Sequence, residues 1–165
     1  MLFLSLRRTA ALFLLTGLAA CSSGIKDDPS PAPTPAKGMS WTADGTTQTT
    51  TTLQSQQFQS SISIAGTIPA TANPLYLSLD FPKAVGTYTS SPTVAASATY
   101  VANAGGTSAP YFAGATGSGT VTGAGTIVVT ALTATSVQGT FTFTGINANT
   151  GNAKSIANGT FNVGL

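Results

Sequence analysis

The sequence predicts an all-β domain, an antiparallel β-sandwich or a flattened β-barrel, formed as a single unit from Met39 to Leu165. Three observations carry this. Apolar and polar residues alternate at period two in several runs, as half-buried strands require. No stretch of this region places apolar residues at i, i+3, i+4 and i+7, so helical amphipathicity is missing. The chain holds 18 glycines and 9 prolines, and Asn-Gly and Asp-Gly pairs among its turn signals tolerate the positive φ of tight hairpins.

The elements follow in order. A first strand over 39–43 sets Met39, Trp41 and Ala43 on one face and ends at the turn Ala43-Asp44-Gly45. A threonine-rich strand over 46–54 comes next, since threonine is β-branched and sits well on a solvated sheet face. Strand 57–66 groups Phe58, Ile62 and Ile64 with Ser60 on one face. The turn Ala72-Asn73-Pro74 opens strand 74–81, where Leu75, Leu77, Leu79 and Phe81 oppose Tyr76, Ser78 and Asp80. Short strands are expected at 86–90, 97–102, 109–113 and 118–122, with a turn at Ala104-Gly105-Gly106.

Gly123-Ala124-Gly125 reads as a turn into strand 125–132, whose Ile127-Val128-Val129 is apolar on both faces, as in a central strand. Strand 136–146 puts Val137, Gly139, Phe141 and Phe143 opposite Gln138, Thr140, Thr142 and Thr144. After Asn149-Thr150-Gly151-Asn152 the chain gives a strand at 153–157, a turn at Asn158-Gly159 and a last strand over 158–163 carrying Phe161 and Val163. Gly-Thr-Phe at 139–141 and 159–161, and Gly-Thr-Tyr at 86–88, are similar strand openings, too short to constitute a repeat.

The first twenty residues read differently. Arg7 and Arg8 form a positive start, Thr9 to Leu18 an apolar stretch, and Ala19 and Ala20 a small-residue end, the layout of a cleaved secretory signal. The stretch between Arg8 and Cys21 is too short to cross a bilayer core of about 30 Å as a helix. Leu18-Ala19-Ala20-Cys21 resembles the lipobox of bacterial lipoproteins. The resemblance implies that residues 1–20 are removed, that the Cys21 thiol carries a diacylglyceryl group and that the new amine is acylated. More than one acyl chain gives stable anchoring where a single chain is marginal. Cys21 is the only cysteine, so it has no disulfide partner within the chain.

Residues 21–38 then form a tether. Ser22 differs from the Asp that resembles an inner-membrane retention signal, which points to the outer membrane. Lys26-Asp27-Asp28 resembles the short acidic export signal of Bacteroidetes surface lipoproteins. Pro29, Pro31, Pro33 and Pro35 alternate with small residues, a pattern that favours a solvated polyproline II rod reaching up to roughly 50 Å. The lipobox, tether, Trp-Thr-Ala-Asp-Gly at 41–45 and the closing Asn-Gly-Thr-Phe-Asn-Val together resemble an uncharacterised family of Bacteroidetes lipoproteins carrying a β-rich domain of unknown function. That likeness implies an envelope location and brings no catalytic residue.

Charge narrows the chemistry. Only 6% of the residues are charged, against roughly a quarter in an average soluble domain. Histidine is absent, which removes imidazole metal sites and Ser-His or Cys-His nucleophiles. No basic surface for nucleic acid exists, and neither metal nor cofactor is expected. From Met39 onward the charged side chains are Asp44, Asp80, Lys83 and Lys154. A glycosidase needs two carboxylates flanking one bond, and Asp44 and Asp80 are the sole pair available. Asp44 reads as a turn residue and Asp80 as an outward strand residue. Neither lysine lies in Ser-x-x-Lys, and no Gly-x-Ser-x-Gly elbow occurs.

Gly114, Gly117, Gly119, Gly123 and Gly125 lack the Lys and the helix of a phosphate loop. Asn147, Asn149 and Asn152 lack the carboxylates that calcium wants. Among aromatics, Trp41 reads as a core plug, and Tyr76 faces away from the leucines as a candidate saccharide platform. The expectation is a non-enzymatic envelope lipoprotein whose partner is the bilayer, reached through acylated Cys21. The alternatives are a calycin-like barrel carrying a small lipophilic ligand, which needs a chamber of some hundreds of Å³, and a carbohydrate-binding surface module.

Overall fold

A computed structural model describes residues 36–70, 74–90, 94, 96–103, 110–115 and 122–165. The signal segment, Cys21 and the prolines of the tether lie outside the described residues. Strands form where apolar side chains alternate and also in the polar segments β2 and β3: β1 Gly38–Ala43, β2 Thr46–Thr50, β3 Leu53–Gln57, β4 Ser61–Ile68, β5 Leu75–Pro82, β6 Gly86–Thr89, β7 Ser97–Ala102, β8 Tyr111–Ala113, β9 Ala124–Leu132, β10 Ser136–Asn147 and β11 Ala153–Gly164. They make one antiparallel sheet of eleven strands, ordered β2-β1-β11-β10-β8-β7-β5-β4-β3, with β9 branching from β10 and β6 pairing β9. The expected all-β fold is therefore present, as a nearly closed, flattened barrel.

The branch at β10 gives the barrel two walls. Val137 to Thr144 of β10 pair with β9, whereas Ile146 and Asn147 pair with β8. One wall is β6-β9-β10-β11-β1-β2 and the other β8-β7-β5-β4-β3. Phe81 of β5 stacks on Phe161 of β11 with centroids 5.6 Å apart, so the walls meet through their inward rings. Met39, Trp41, Ile62, Ile64, Leu77, Leu79, Val129, Val137, Phe141 and Ile156 complete the buried interior. Side chains occupy these described interior positions.

The two Gly-Thr-Phe openings turn out to be partners. Gly139 lies opposite Phe161, Thr140 opposite Thr160 and Phe141 opposite Gly159. Each phenylalanine ring covers the glycine across from it. A Cβ at Gly139 would lie 2.5 Å from Phe161 Cζ, and one at Gly159 would lie 2.5 Å from Phe141 Cδ2. The glycines thus make room for the rings, whose centroids are 6.4 Å apart, an arrangement in which aromatics shield strand glycines.

Three sequence expectations need correction. Strand 46–54 is two strands, because Thr51 and Thr52 turn the chain from one wall to the other. Thr50 Oγ1 donates to Thr67 O at 2.6 Å and accepts from Thr52 N at 3.0 Å, and Thr67 N donates to Thr52 O. Phe58 does not join Ile62 and Ile64 inside; it sits in the β3–β4 turn, where its N–H donates to Ser61 O, and is 48% exposed. Asn158-Gly159 is not a hairpin turn but a bulge within the continuous β11. Three residues of β11 span two of β10 and two of β1 there, and Asn158 adopts φ 51°, the conformation a bulge uses to absorb an extra residue. At Gly123-Ala124-Gly125 the chain bends at Gly123 (φ 89°), and β9 begins one residue before the expected start, at Ala124. The expected strand 118–122 lies outside the described residues except for Thr122.

Other expectations hold. Asp44 (φ 50°) and Gly45 (φ 76°) close a two-residue hairpin between Ala43 and Thr46, the geometry of a type I′ turn. Strand β9 is flanked on both sides, by β6 and β10.

Candidate functional site

The charged residues are dispersed over the barrel. At the end formed by the β1–β2 turn, the start of β11 and β8, Lys154 Nζ donates to Asp44 Oδ2 at 2.5 Å. The ammonium also lies 5.4 Å from the centroid of the Tyr111 ring, within the range of a cation–π contact. Tyr111 in turn packs 6.4 Å from Tyr100. The Asp44 hydrogen bond is the main reason the Lys154 ammonium holds its proton above the ordinary 10.5, against the opposing effect of burial. Burial pushes the Tyr100 hydroxyl above its ordinary 10.0, partly offset by Lys154. Within this cluster the Lys154 charge is paired by Asp44.

Asp80 stands elsewhere. It projects from β5 between inward Leu79 and Phe81, and accepts from Ser97 Oγ at 3.3 Å. It borders a recess of about 260 Å³ with Ser61, Val94 and Ala96. Asp44 and Asp80 share no bonding partner, so the structure does not assemble a carboxylate pair. Lys83 lies in the β5–β6 turn, where its backbone N–H donates to Ser60 O.

The glycine and asparagine candidates have structural roles. Gly123, at φ +89°, brings backbone so near the Thr144 and Phe112 carbonyls that a Cβ would collide with both. Gly117 and Gly119 lie outside the described residues. Asn147 is buried, and its Oδ1 accepts from Asn149 N at 3.0 Å and Thr150 N at 3.2 Å. That carboxamide caps the β10–β11 turn, and Gly151 follows at φ +72°. Among the described residues no cluster of three or more Cys, Asp or Glu is placed to hold a metal.

Tyr76 is the sequence candidate that the fold puts on an accessible surface. It is half-buried on the outer face of β5, opposite Thr67 of β4. With Gln54, Ser55, Gln56, Ser63 and Ala65 it lines a recess of about 470 Å³. The Gln side chains come from β3, which the expected strands did not isolate: Gln54 fell at the end of 46–54 and Gln56 in the gap before 57–66. The recess holds amides, hydroxyls and one aromatic ring, with no charged group. A second outer recess, of about 450 Å³, lies where Ala36 and Lys37 enter the barrel, lined by Thr49, Thr140, Thr160 and Asn162 among others.

The region from Gly38 to Val163 matches the model of a family described as a domain of unknown function, DUF6252. The chain belongs to that family. No match is found among curated proteins or among solved structures. The DUF6252 domain thus coincides with the barrel, beginning at the first residue of β1 and ending one residue before the end of β11. Asn162 Nδ2, near the end of that DUF6252 region, donates to Ala36 O at 3.2 Å, fastening the residues just upstream of β1 to the last strand.

Proposed function

We propose that the chain is an outer-membrane lipoprotein anchored by acylated Cys21, whose DUF6252 barrel is a non-catalytic binding or structural domain held away from the bilayer by the tether. The lipobox-like Leu18-Ala19-Ala20-Cys21 carries this reading. The proline-rich stretch ends where the barrel begins, which fits a tether. The dispersal of Asp44 and Asp80, the first neutralised by Lys154, supports a domain that binds rather than transforms. Metabolic labelling with palmitate tests the anchor: the wild type incorporates label and Cys21→Ala does not. Label on Cys21→Ala refutes it.

The Tyr76 recess favours one second reading, a surface module for neutral saccharides. The half-buried Tyr76 ring offers an apolar surface, and Gln54, Gln56 and Ser63 supply donors and acceptors around it. Such a pairing of apolar surface with a few directed polar groups is what orients a small ligand. Affinity electrophoresis through gels containing xylan, mannan, laminarin or starch is expected to retard the wild type in at least one gel and Tyr76→Ala in none. Free migration of the wild type in all four sinks this reading.

A further inference from the structure

We infer that β2 is a self-pairing edge, and that two copies of this chain join antiparallel through it about a two-fold axis at Gln48. Among the described residues β2 pairs only with β1, so its other side is an open edge. Natural sheets guard such edges with lysine, proline, bulges or covering segments. The strand Thr46-Thr47-Gln48-Thr49-Thr50 has no charge and no proline, and its register with β1 runs without a shift. Thr46, Thr47 and Thr49 are exposed.

The hairpin fixes which backbone groups are free. In a two-residue hairpin the closing pair, here Ala43 and Thr46, exchanges hydrogen bonds, and bonded and non-bonded pairs then alternate. Trp41 with Gln48 and Met39 with Thr50 are therefore bonded pairs. Thr42 with Thr47 and Ser40 with Thr49 are not. On the β1 side, Ser40 and Thr42 turn toward β11. On the β2 side, the N–H and C=O groups of Thr47 and Thr49 point to the open edge.

Those free groups flank Gln48 symmetrically. An antiparallel copy centred there sets Thr47 opposite Thr49 of the partner subunit, and Thr49 opposite Thr47 of the partner subunit. Each is a bonded pair, so every free donor and acceptor of both threonines is satisfied. Gln48 meets its own copy in the non-bonded position, where side chains are closest and the two carboxamides can pair. No charge opposes a like charge. The pairing is isologous and closes at two copies, whereas β2 against another open edge, β3 or β6, would propagate as a filament. At β3 the space beside the strand is already used, since Ser55 Oγ donates to Gly164 O at 2.7 Å. The axis runs across the strands, so the two tether roots leave from opposite ends. A tether reaching up to roughly 50 Å still lets both anchors enter one bilayer.

The test uses full-length chains carrying two different affinity tags. Wild-type chains are expected to co-purify. Gln48→Lys with itself, and Gln48→Glu with itself, place like charges opposite each other and co-purify several-fold less. Gln48→Lys mixed with Gln48→Glu restores co-purification, which also shows that both variants fold. In a Cys21→Ser background, Gln48→Cys forms a disulfide-linked dimer on a non-reducing gel, and Thr87→Cys on β6 does not. Wild-type chains that do not co-purify overturn the proposal, as does association that Gln48→Lys leaves unchanged. The pairing does not depend on acylation, so its failure and that of the anchor are read by separate experiments.

Discussion

Lys154 is the residue whose surroundings are most particular. Its stem leaves β11 on the same face as buried Ile156, so the ammonium is brought inward over Tyr111 and depends on Asp44 for a counter-charge. Its proton is held more tightly in the folded chain than in the unfolded one, so the pair's contribution is complete below about pH 10 and is lost as pH rises through the raised value. Tyr100 acts in the same direction: the unfolded hydroxyl ionises first, which favours unfolding in alkali. Unfolding followed by circular dichroism from pH 8 to 11 is expected to show stability falling above about pH 10. Lys154→Met combined with Tyr100→Phe flattens that fall. The contribution is small, because Asp44 is 71% exposed and solvent screens the pair. The sequence named Asp44 and Lys154 as charged residues and identified the Asp44 turn, whose chemistry is local. It did not pair them, because 110 residues separate them and only the β1–β11 register brings them together.

At the scale of the strand, legibility depended on how local the deciding force is. Leu77, Leu79 and Phe81 announce β5 because alternation alone fixes their face, and all three are fully buried. Thr46 to Thr52 announce nothing about the break after Thr50. Five of these side chains could equally face solvent, and the corner is set by a hydroxyl reaching Thr67 in another strand. Asn158-Gly159 has the chemistry of a turn and serves as a bulge, since pairing with β1 and β10 on both sides keeps the strand going. That bulge sets the parity of β11, placing both Ile156 and Phe161 inward. Deleting Asn158 would turn residues 153–157 inside out, and the expected result is a chain without a cooperative thermal transition. Asn158→Gly preserves the left-handed conformation and is expected to keep the melting temperature within a few degrees. Asn158→Val forces a β-branched residue into it and is expected to cost about 1–2 kcal/mol. Thermal melts of the three variants separate these outcomes.

Across the whole molecule the surface is hydroxyl-rich and nearly neutral, and Lys154 with Asp44 is the ion pair found among the described residues. Such a surface offers little electrostatic steering, which suits slow contact with neutral partners better than capture of charged ones. The first forty residues resemble those of an envelope lipoprotein, and the proposed address rests on that resemblance. If the domain is displayed outside the cell, protease added to intact cells is expected to remove it, with lysed cells as the control. Protection in intact cells together with digestion in lysates places it on the periplasmic side.

The hold of Asn162 on the Ala36 carbonyl has a mechanical consequence. Tension on the tether would first load this clasp and then draw β1 lengthwise between β11 and β2, so its cross-strand bonds would yield together in shear rather than peel apart in turn. A globule moored in this way resists drag best when its outer side is gripped and its mooring is pulled.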